Sequence, residues 1–159
     1  MKRKIAILLT LAMVLSASSM LFADAADQVT GYWKTKGGKS VVKVTKSGNR
    51  IWGKIVSLCK NPGAKCTACD DDNKNKWPYK KFADKPIKGK NIIWTPRKGY
   101  KIDGNKIEHL RIFDPGECKY YHAFMERQGN KLRVKGHLSW SSWVGKSQYW
   151  TKTSGPGCN

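Results

Sequence analysis

The chain has 159 residues, with 31 Lys and Arg against 11 Asp and Glu, so it is short and strongly basic, with a formal net charge of +20. This length allows one domain and leaves little room for a second. Hydrophobic residues make up 40% of the chain and aromatic residues 11%, including seven Trp, which excludes wholesale disorder. The charge predicts an anionic partner such as nucleic acid, acidic glycan or lipid phosphate.

The amino terminus has the pattern of a signal peptide. A basic start at residues 2–4 precedes an apolar run at residues 5–14, and small side chains lead up to Ala25. We therefore predict cleavage after Ala25, with residues 1–25 as the signal peptide and residues 26–159 as a single domain. The alternative, an uncleaved anchor, is disfavoured because serines interrupt the apolar segment.

Export narrows the choice of partners. A periplasmic or secreted protein meets acidic glycans and lipid phosphates more readily than chromosomal or messenger nucleic acid, so we expect no nucleic-acid partner in vivo. No second apolar run of membrane length follows in the chain. We therefore expect no transmembrane segment after cleavage of the signal.

Beyond residue 30 the pattern predicts short β-strands separated by tight turns. No stretch keeps a helical apolar period for three turns, whereas turn residues such as Gly48, Gly104 and Gly129 recur at intervals suited to antiparallel hairpins. Leu132 and Val134 alternate with charged residues, so one face of that strand is core and the other is solvent. The predicted strands are residues 29–35, 40–46, 50–58, 91–97, 106–113, 119–127, 131–139 and 148–153.

About eight short antiparallel strands fit an up-and-down barrel or a sandwich. We favour the barrel, because closure removes the strand edges that invite aggregation. One long irregular stretch, residues 59–89, contains three of the five cysteines and is interpreted as a lid or cap. The predicted fold is therefore all-β: a small antiparallel barrel of about eight strands with one long cysteine-containing loop.

Eight short segments occur in an order that is typical of one bacterial family. Together they resemble the exported family called domain of unknown function 2147, over nearly the whole chain after residue 25. The segments are Gly31-Tyr32-Trp33-Lys34-Thr35, Ser40-Val41-Val42-Lys43-Val44, Gly53-Lys54-Ile55-Val56, Cys66-Thr67-Ala68-Cys69, Lys85-Pro86-Ile87-Lys88-Gly89, Ile112-Phe113-Asp114-Pro115, Leu132-Arg133-Val134-Lys135-Gly136 and Ser147-Gln148-Tyr149-Trp150-Thr151-Lys152.

The resemblance implies a lipocalin-like barrel in the cell envelope or secreted fraction, with no settled biochemical activity. It also implies a barrel floor formed by Gly31 and Trp33, with a basic side chain from the last strand, Lys152, covering the indole. Two positions depart from the family pattern. The family usually has Arg at the position of Lys152, where a flat guanidinium would stack on the indole. It usually has Gly at the position of Cys118.

Five cysteines in an exported domain predict disulfides. Sequence does not rank the possible pairings firmly, but we favour Cys66 with Cys69. A redox centre at this pair is disfavoured because acidic residues 70–72 follow at once, and negative neighbours raise a thiol pKa. Zinc at Cys59, Cys66 and Cys69 is disfavoured for want of a second paired cluster. We predict no metal and no cofactor.

A basic and aromatic stretch runs from residue 74 to residue 101, where Asp84 is the single opposing acid. Such a mixture is typical of polyanion-binding surfaces, although a solvated cationic face with core aromatics explains the pattern equally well. Trp140 and Trp143 are interpreted either as an aromatic loop at the barrel mouth or as core residues. The candidate polyanion-binding residues are Lys74, Lys76, Lys80, Lys81, Lys85, Lys88, Lys90, Arg97, Lys98 and Lys101.

The sequence contains no convincing catalytic set. Its histidines are scattered over three strands without a nucleophile motif, and Asp114 beside Pro115 is typical of a turn. The leading hypothesis is a non-catalytic barrel that binds a small apolar or amphipathic ligand in its interior. The alternative is a cationic surface module that binds an envelope polyanion such as lipopolysaccharide or an acidic glycan. An enzyme of unknown type is the least favoured hypothesis.

Overall fold

The computed structural model describes residues 24–159, so most of the predicted signal peptide lies outside the described residues. Strands dominate, joined by short helical turns. The helices are α1 (Ala25–Gln28) and α2 (Asp71–Lys74), and the strands are β1 (Gly31–Lys34), β2 (Ser40–Ser47), β3 (Arg50–Leu58), β4 (Asn91–Trp94), β5 (Lys101–Asp103), β6 (Lys106–Asp114), β7 (Lys119–Gln128), β8 (Lys131–Leu138) and β9 (Ser141–Thr153).

The strands form a closed antiparallel barrel. They follow the order β4-β3-β2-β1-β9-β8-β7-β6, and β6 returns to β4 by pairing Ile112 with Ile93. The short β5 pairs with the first part of β6 as an additional strand. This confirms the predicted all-β, lipocalin-like barrel with a long cysteine-containing loop. β5 itself was not predicted, because its three residues are exposed and too few to show a pattern.

Apolar side chains fill the centre of the barrel. Ile51, Ile93, Leu110 and Met125 come from different strands, and each has no water-accessible surface. A ligand-sized cavity would expose the side chains that line it, so the packing around these residues leaves no room for one. Among residues 24–159, these four side chains therefore close the centre of the barrel, and the pocket described below lies on its outer wall.

The antiparallel order places the chain connections at two ends of the barrel. At one end, here called the closed end, α1 lies under the barrel floor beside the tight turns at Gly48, Gly104 and Gly129. At the other, the open end, lie the long loop of residues 59–90, the β6–β7 turn and the tip of the β8–β9 hairpin. The long loop and the hairpin therefore leave the barrel on the same side.

The long loop covers the outer wall of the barrel. Phe82 of this loop stacks on Phe113 of β6, with ring centroids 3.7 Å apart. Because the neighbouring Ile112 pairs with the buried Ile93, alternation along β6 places Phe113 on the outer face. The interpretation of this segment as a lid or cap over the barrel is therefore wrong, and the reason is this apolar contact on the side of the barrel.

Candidate binding pocket on the outer wall

A pocket lies between the outer face of β3 and β4 and the long loop. Trp52 and Trp94 are cross-strand partners, and they face outward because the adjacent pair, Gly53 and Ile93, faces the core. Trp77 from the long loop meets Trp94 edge to face, with ring centroids 6.0 Å apart. The pocket has a volume of about 590 Å³ and is partly open to solvent. This volume is typical of small-molecule sites.

Lysines form the rim of this pocket. Lys80, Lys81, Lys85 and Lys90 line it, and its described lining residues include no carboxylate. The Lys85 ammonium donates to the carbonyl of Lys80 at 2.7 Å. The Lys81 ammonium lies 5.7 Å from the Trp77 ring centroid, within reach of a cation–π contact. The pocket thus combines aromatic walls with concentrated positive charge.

Backbone contacts between β3 and the long loop hold the pocket together. The amide of Ile55 donates to the carbonyl of Lys90 at 2.9 Å, and the amide of Gly89 donates to the carbonyl of Ile55 at 2.7 Å. A side chain at Gly53 would lie only 2.9 Å from Ile93 Cβ, so glycine permits β3 and β4 to approach closely beneath the tryptophans. These contacts fix Lys90 at the rim.

The structure divides the predicted basic cluster. Lys80, Lys81, Lys85 and Lys90 come together at the pocket, whereas Lys74 is paired with Asp71 at 2.6 Å. Lys76 and Lys88 lie on the long loop outside the pocket lining. Arg97 and Lys98 lie in the β4–β5 connection and Lys101 begins β5, at the closed end, where the amide of Tyr100 donates to Asn49. Four of the ten predicted residues therefore line the pocket, and the other six lie outside its lining.

The aromatic residues in the basic stretch divide in the same way. Phe82 is buried, in agreement with the core alternative, whereas Trp77 is 56% exposed at the pocket. Trp140 and Trp143 lie at the tip of the β8–β9 hairpin and are 75% and 91% exposed. The interpretation of these two tryptophans as core residues is therefore wrong.

The residues expected at the barrel floor lie together at the closed end. Trp33 is fully buried, and its indole nitrogen donates to the carbonyl of Val29 at 2.8 Å. Gly31 has φ 118°, a backbone conformation that favours glycine. The Lys152 ammonium lies 5.8 Å from the Trp33 ring centroid.

Arg127 of β7 is a floor residue that sequence reasoning missed. Its guanidinium lies 5.0 Å from the Trp33 ring centroid, closer than Lys152, and also donates to the carbonyl of Gln28 at 3.3 Å. Because side chains alternate along a strand, Arg127 lies on the same inward face of β7 as the buried Met125. This alternation was the feature of the sequence from which the position of Arg127 could have been predicted. A guanidinium therefore does cover the indole of Trp33, but it comes from Arg127 of β7 and not from the last strand, which supplies Lys152.

The disulfide pairs differ from the favoured prediction. Cys69 is bonded to Cys118 and Cys59 to Cys158, whereas Cys66 is free and buried. The predicted Cys66–Cys69 bridge is therefore wrong. Their sulfur atoms are 3.6 Å apart, but Cys118 approaches from the β6–β7 turn, which the local spacing does not reveal. The three sulfurs lie within 4.8 Å of one another, with two of them used in the bridge.

The structure accounts for the cysteine at position 118, where the family pattern has glycine. The φ of Cys118 is 47°, in the left-handed region where glycine is usual. The disulfide from Cys118 to Cys69 anchors the long loop to the β6–β7 turn, which a glycine at this position could not do. Asp114 stabilises the same turn by accepting from the amide of Gly116 at 2.8 Å. This contact agrees with the predicted role of Asp114 as a turn residue.

We expect the Cys66 thiol to resist alkylation until the protein unfolds. Burial raises its pKa, and Cys66 donates to the carbonyl of Pro115 at 3.4 Å, so both the thiolate and its access are limited. Iodoacetamide at mildly alkaline pH should leave the native protein unlabelled. In denaturant without reductant it should add one label, which peptide mass mapping places on Cys66. Labelling of Cys118 instead would contradict the pairing.

Two of the three histidines lie side by side on the barrel wall. His122 and His137 are cross-strand partners with ring centroids 5.8 Å apart. Burial lowers the pKa of His122, and the positive charge of Arg111 and the neighbouring His137 lower it further. His122 is therefore held neutral at neutral pH. His109 lies apart, in an irregular part of β6.

Comparison with family profiles identifies the family to which this barrel belongs. The profile of a family described as uncharacterized protein conserved in bacteria, DUF2147, matches residues 31–152. The chain belongs to the DUF2147 family. The match includes the floor residues, the pocket and the Cys69–Cys118 bridge. No curated protein matches this DUF2147 chain.

A solved structure is similar to the DUF2147 barrel. Protein HP1028 from the human pathogen Helicobacter pylori, which belongs to the lipocalin family, superposes with a TM-score of 0.60 at 15% sequence identity. The alignment covers 79% of this chain and 82% of that protein. At this identity the likeness shows the fold alone, and that fold is lipocalin-like.

The disulfides indicate where the DUF2147 chain resides. Two bridges in a bacterial protein are typical of an oxidising compartment, so the chain is an extracytoplasmic protein. Among residues 24–159, no helix has the length and apolar character needed to cross a membrane.

Proposed function

We propose that this DUF2147 protein is an exported, non-catalytic binding protein that holds a small amphipathic anion in the outer-wall pocket. The observation that carries this proposal is the combination of Trp52, Trp77 and Trp94 with a rim of lysines around about 590 Å³. Indole rings bind an apolar or aromatic body, and ammonium groups bind an acidic head. The lipocalin-like fold also suggests a small-ligand-binding protein.

A small ligand fits the arrangement better than a long polyanion. A long polyanion is held by many basic contacts, whereas only four lysines line the pocket and Arg97, Lys98 and Lys101 lie outside its lining. Binding of an envelope polyanion is therefore the second candidate, supported by the overall charge of +20.

Export by a signal peptide cleaved after Ala25 belongs to the same proposal, with a periplasmic or secreted destination. The two disulfides support it. Cleavage there would remove Asp24, which accepts from the Asp27 amide and pairs with Lys46 at 2.9 Å. Asp27 would keep its own 2.9 Å contact with Lys46, so α1 would retain one ion pair to the barrel.

We expect the purified protein to bind 1-anilinonaphthalene-8-sulfonate more tightly than N-phenyl-1-naphthylamine. The two probes share their aromatic rings, but the first adds a sulfonate that the lysine rim can neutralise. One charge-assisted contact is worth about 1.4 kcal/mol or more, which is about tenfold in Kd. Fluorescence titration of both probes at the same ionic strength measures the difference. Equal affinities would contradict a role for the lysines.

Matched variants test whether the probes bind in the outer-wall pocket. Lys80→Gln combined with Lys85→Gln should remove most of the preference for the sulfonate, while Lys98→Gln combined with Lys101→Gln removes the same charge at the closed end and should leave it unchanged. Trp94→Ala should weaken both probes, because it removes part of the aromatic wall. If both lysine pairs had the same effect, the binding would reflect net charge rather than the pocket.

A further inference from the structure

The tip of the β8–β9 hairpin is an exposed apolar surface. Trp140 and Trp143 stand out at the open end, and Leu138 and Val144 beside them are also exposed. Within residues 24–159, neither indole nitrogen of the pair donates a hydrogen bond, and neither ring packs against another ring. Large aromatic side chains left in water in this way mark an interaction site.

The backbone geometry of the hairpin explains why the tryptophans are exposed. His137 pairs with Gly145 and Leu138 with Ser141, so residues 142–144 form a bulge that carries Trp143 away from β8. A side chain at Gly145 would overlap the carbonyl oxygen of Gly136, so glycine is needed where the two strands approach. The Lys135 ammonium donates to the carbonyl of Trp143 at 3.2 Å and holds the bulge in this position.

The charged side chains of the hairpin are all basic. From Arg127 to Asn159 the sequence contains no Asp or Glu side chain, and Lys135 and Lys146 stand nearest the tip. The Lys146 side chain is 86% exposed and has one anionic neighbour, Glu117, at 3.1 Å. The same end also carries acidic side chains, in the β6–β7 turn and in residues 70–72 of the long loop, which the Cys69–Cys118 bridge ties to that turn. The attraction to an anionic surface therefore comes from the lysines of the hairpin itself and from the net charge of the chain, +20.

We propose that this hairpin docks the protein on a lipid bilayer that carries anionic headgroups. Tryptophan prefers the boundary between headgroups and acyl chains, where the ring is apolar and the N–H remains hydrated. Lysines nearby add attraction to anionic lipid, and stable surface binding generally takes both kinds of contact. The site is distinct from the outer-wall pocket and does not depend on the ligand proposed for it.

The test is sedimentation of the full oxidised protein with two kinds of vesicle, one of phosphatidylcholine alone and one also containing phosphatidylglycerol. We expect binding to the anionic vesicles, weaker binding to the neutral ones, and a blue shift of tryptophan emission. Trp140→Ala combined with Trp143→Ala should weaken binding at least about tenfold, because each indole loses apolar burial worth about that factor.

Controls separate insertion from simple charge attraction. Trp77→Ala, at the pocket, should leave vesicle binding unchanged, and the hairpin double variant should keep its affinity for 1-anilinonaphthalene-8-sulfonate. Lys135→Gln combined with Lys146→Gln should reduce the preference for anionic vesicles. Vesicle binding that survives loss of both tryptophans would overturn the proposal. So would a wild-type dimer that becomes a monomer in the hairpin variant without vesicle binding, since the tip would then bind a second copy.

Discussion

Replacing Cys59 and Cys158 together with Ser should lower the free energy of unfolding by about 4 to 5 kcal/mol. The two residues are 99 positions apart, so their bridge restricts the unfolded chain over most of the domain. It also holds the carboxyl-terminal segment, where Lys34 donates to the carbonyl of Cys158 at 2.7 Å. A small domain is stable by only about 5 to 15 kcal/mol, so the loss is a large fraction of the total.

Urea unfolding of the oxidised proteins, followed by far-ultraviolet circular dichroism, measures this change. Cys66→Ala is the matched control, because it removes a sulfur atom without breaking a bridge and should cost far less. A double variant within about 1 kcal/mol of the wild type would contradict the expectation. The same variant should retain the β-sheet spectrum in the absence of denaturant.

Trp33→Ala should destabilise the barrel by about 3 to 5 kcal/mol, because it leaves a cavity in a fully buried floor. Trp33→Phe keeps most of the ring but leaves the carbonyl of Val29 without its indole donor, so we expect a smaller loss of about 1 to 3 kcal/mol. Arg127 and Lys152 would also lose the indole face that they cover. The order of stability should be wild type, Phe variant, Ala variant.

Midpoints of urea unfolding rank these variants, and Trp143→Ala supplies the control. It deletes the same side chain from a position that is 91% exposed, so its stability should stay within about 0.5 kcal/mol of the wild type. Similar losses for Trp33→Ala and Trp143→Ala would show that the floor tryptophan is not part of the core. A Phe variant as unstable as the Ala variant would show that the hydrogen bond dominates.

The strand pattern could be predicted because local rules govern it. Alternation and turn residues gave all eight barrel strands, with errors at the ends where local rules weaken. Val29 belongs to the end of α1 rather than to β1, and β9 begins at Ser141, far before the predicted start, because exposed residues beyond the core lack alternation. The exposed β5 was missed because three residues are too few to show a pattern.

The site could be predicted only in part, because it depends on contacts between distant segments. The sequence marks the lysines and Trp77 as a basic and aromatic stretch, but nothing in it places Trp52 of β3 beside them. The Cys69–Cys118 pairing and the contact of Arg127 with Trp33 likewise join parts of the chain that are far apart. Such contacts follow from the path of the long loop and from barrel closure, which local patterns do not encode.

The bridge from Cys59 to Cys158 joins a cysteine to one that is synthesised 99 residues later, so oxidative folding depends on a late part of the chain. Cys59, Cys66, Cys69 and Cys118 all emerge before Cys158, and the Cys69–Cys118 bridge is nested inside the longer one. An oxidase that joins cysteines in order of appearance would therefore link Cys59 to Cys66, and this pair would have to be broken before the native bridge could close. Rapid oxidation would trap the chain, so efficient maturation calls for a disulfide isomerase as well as an oxidase.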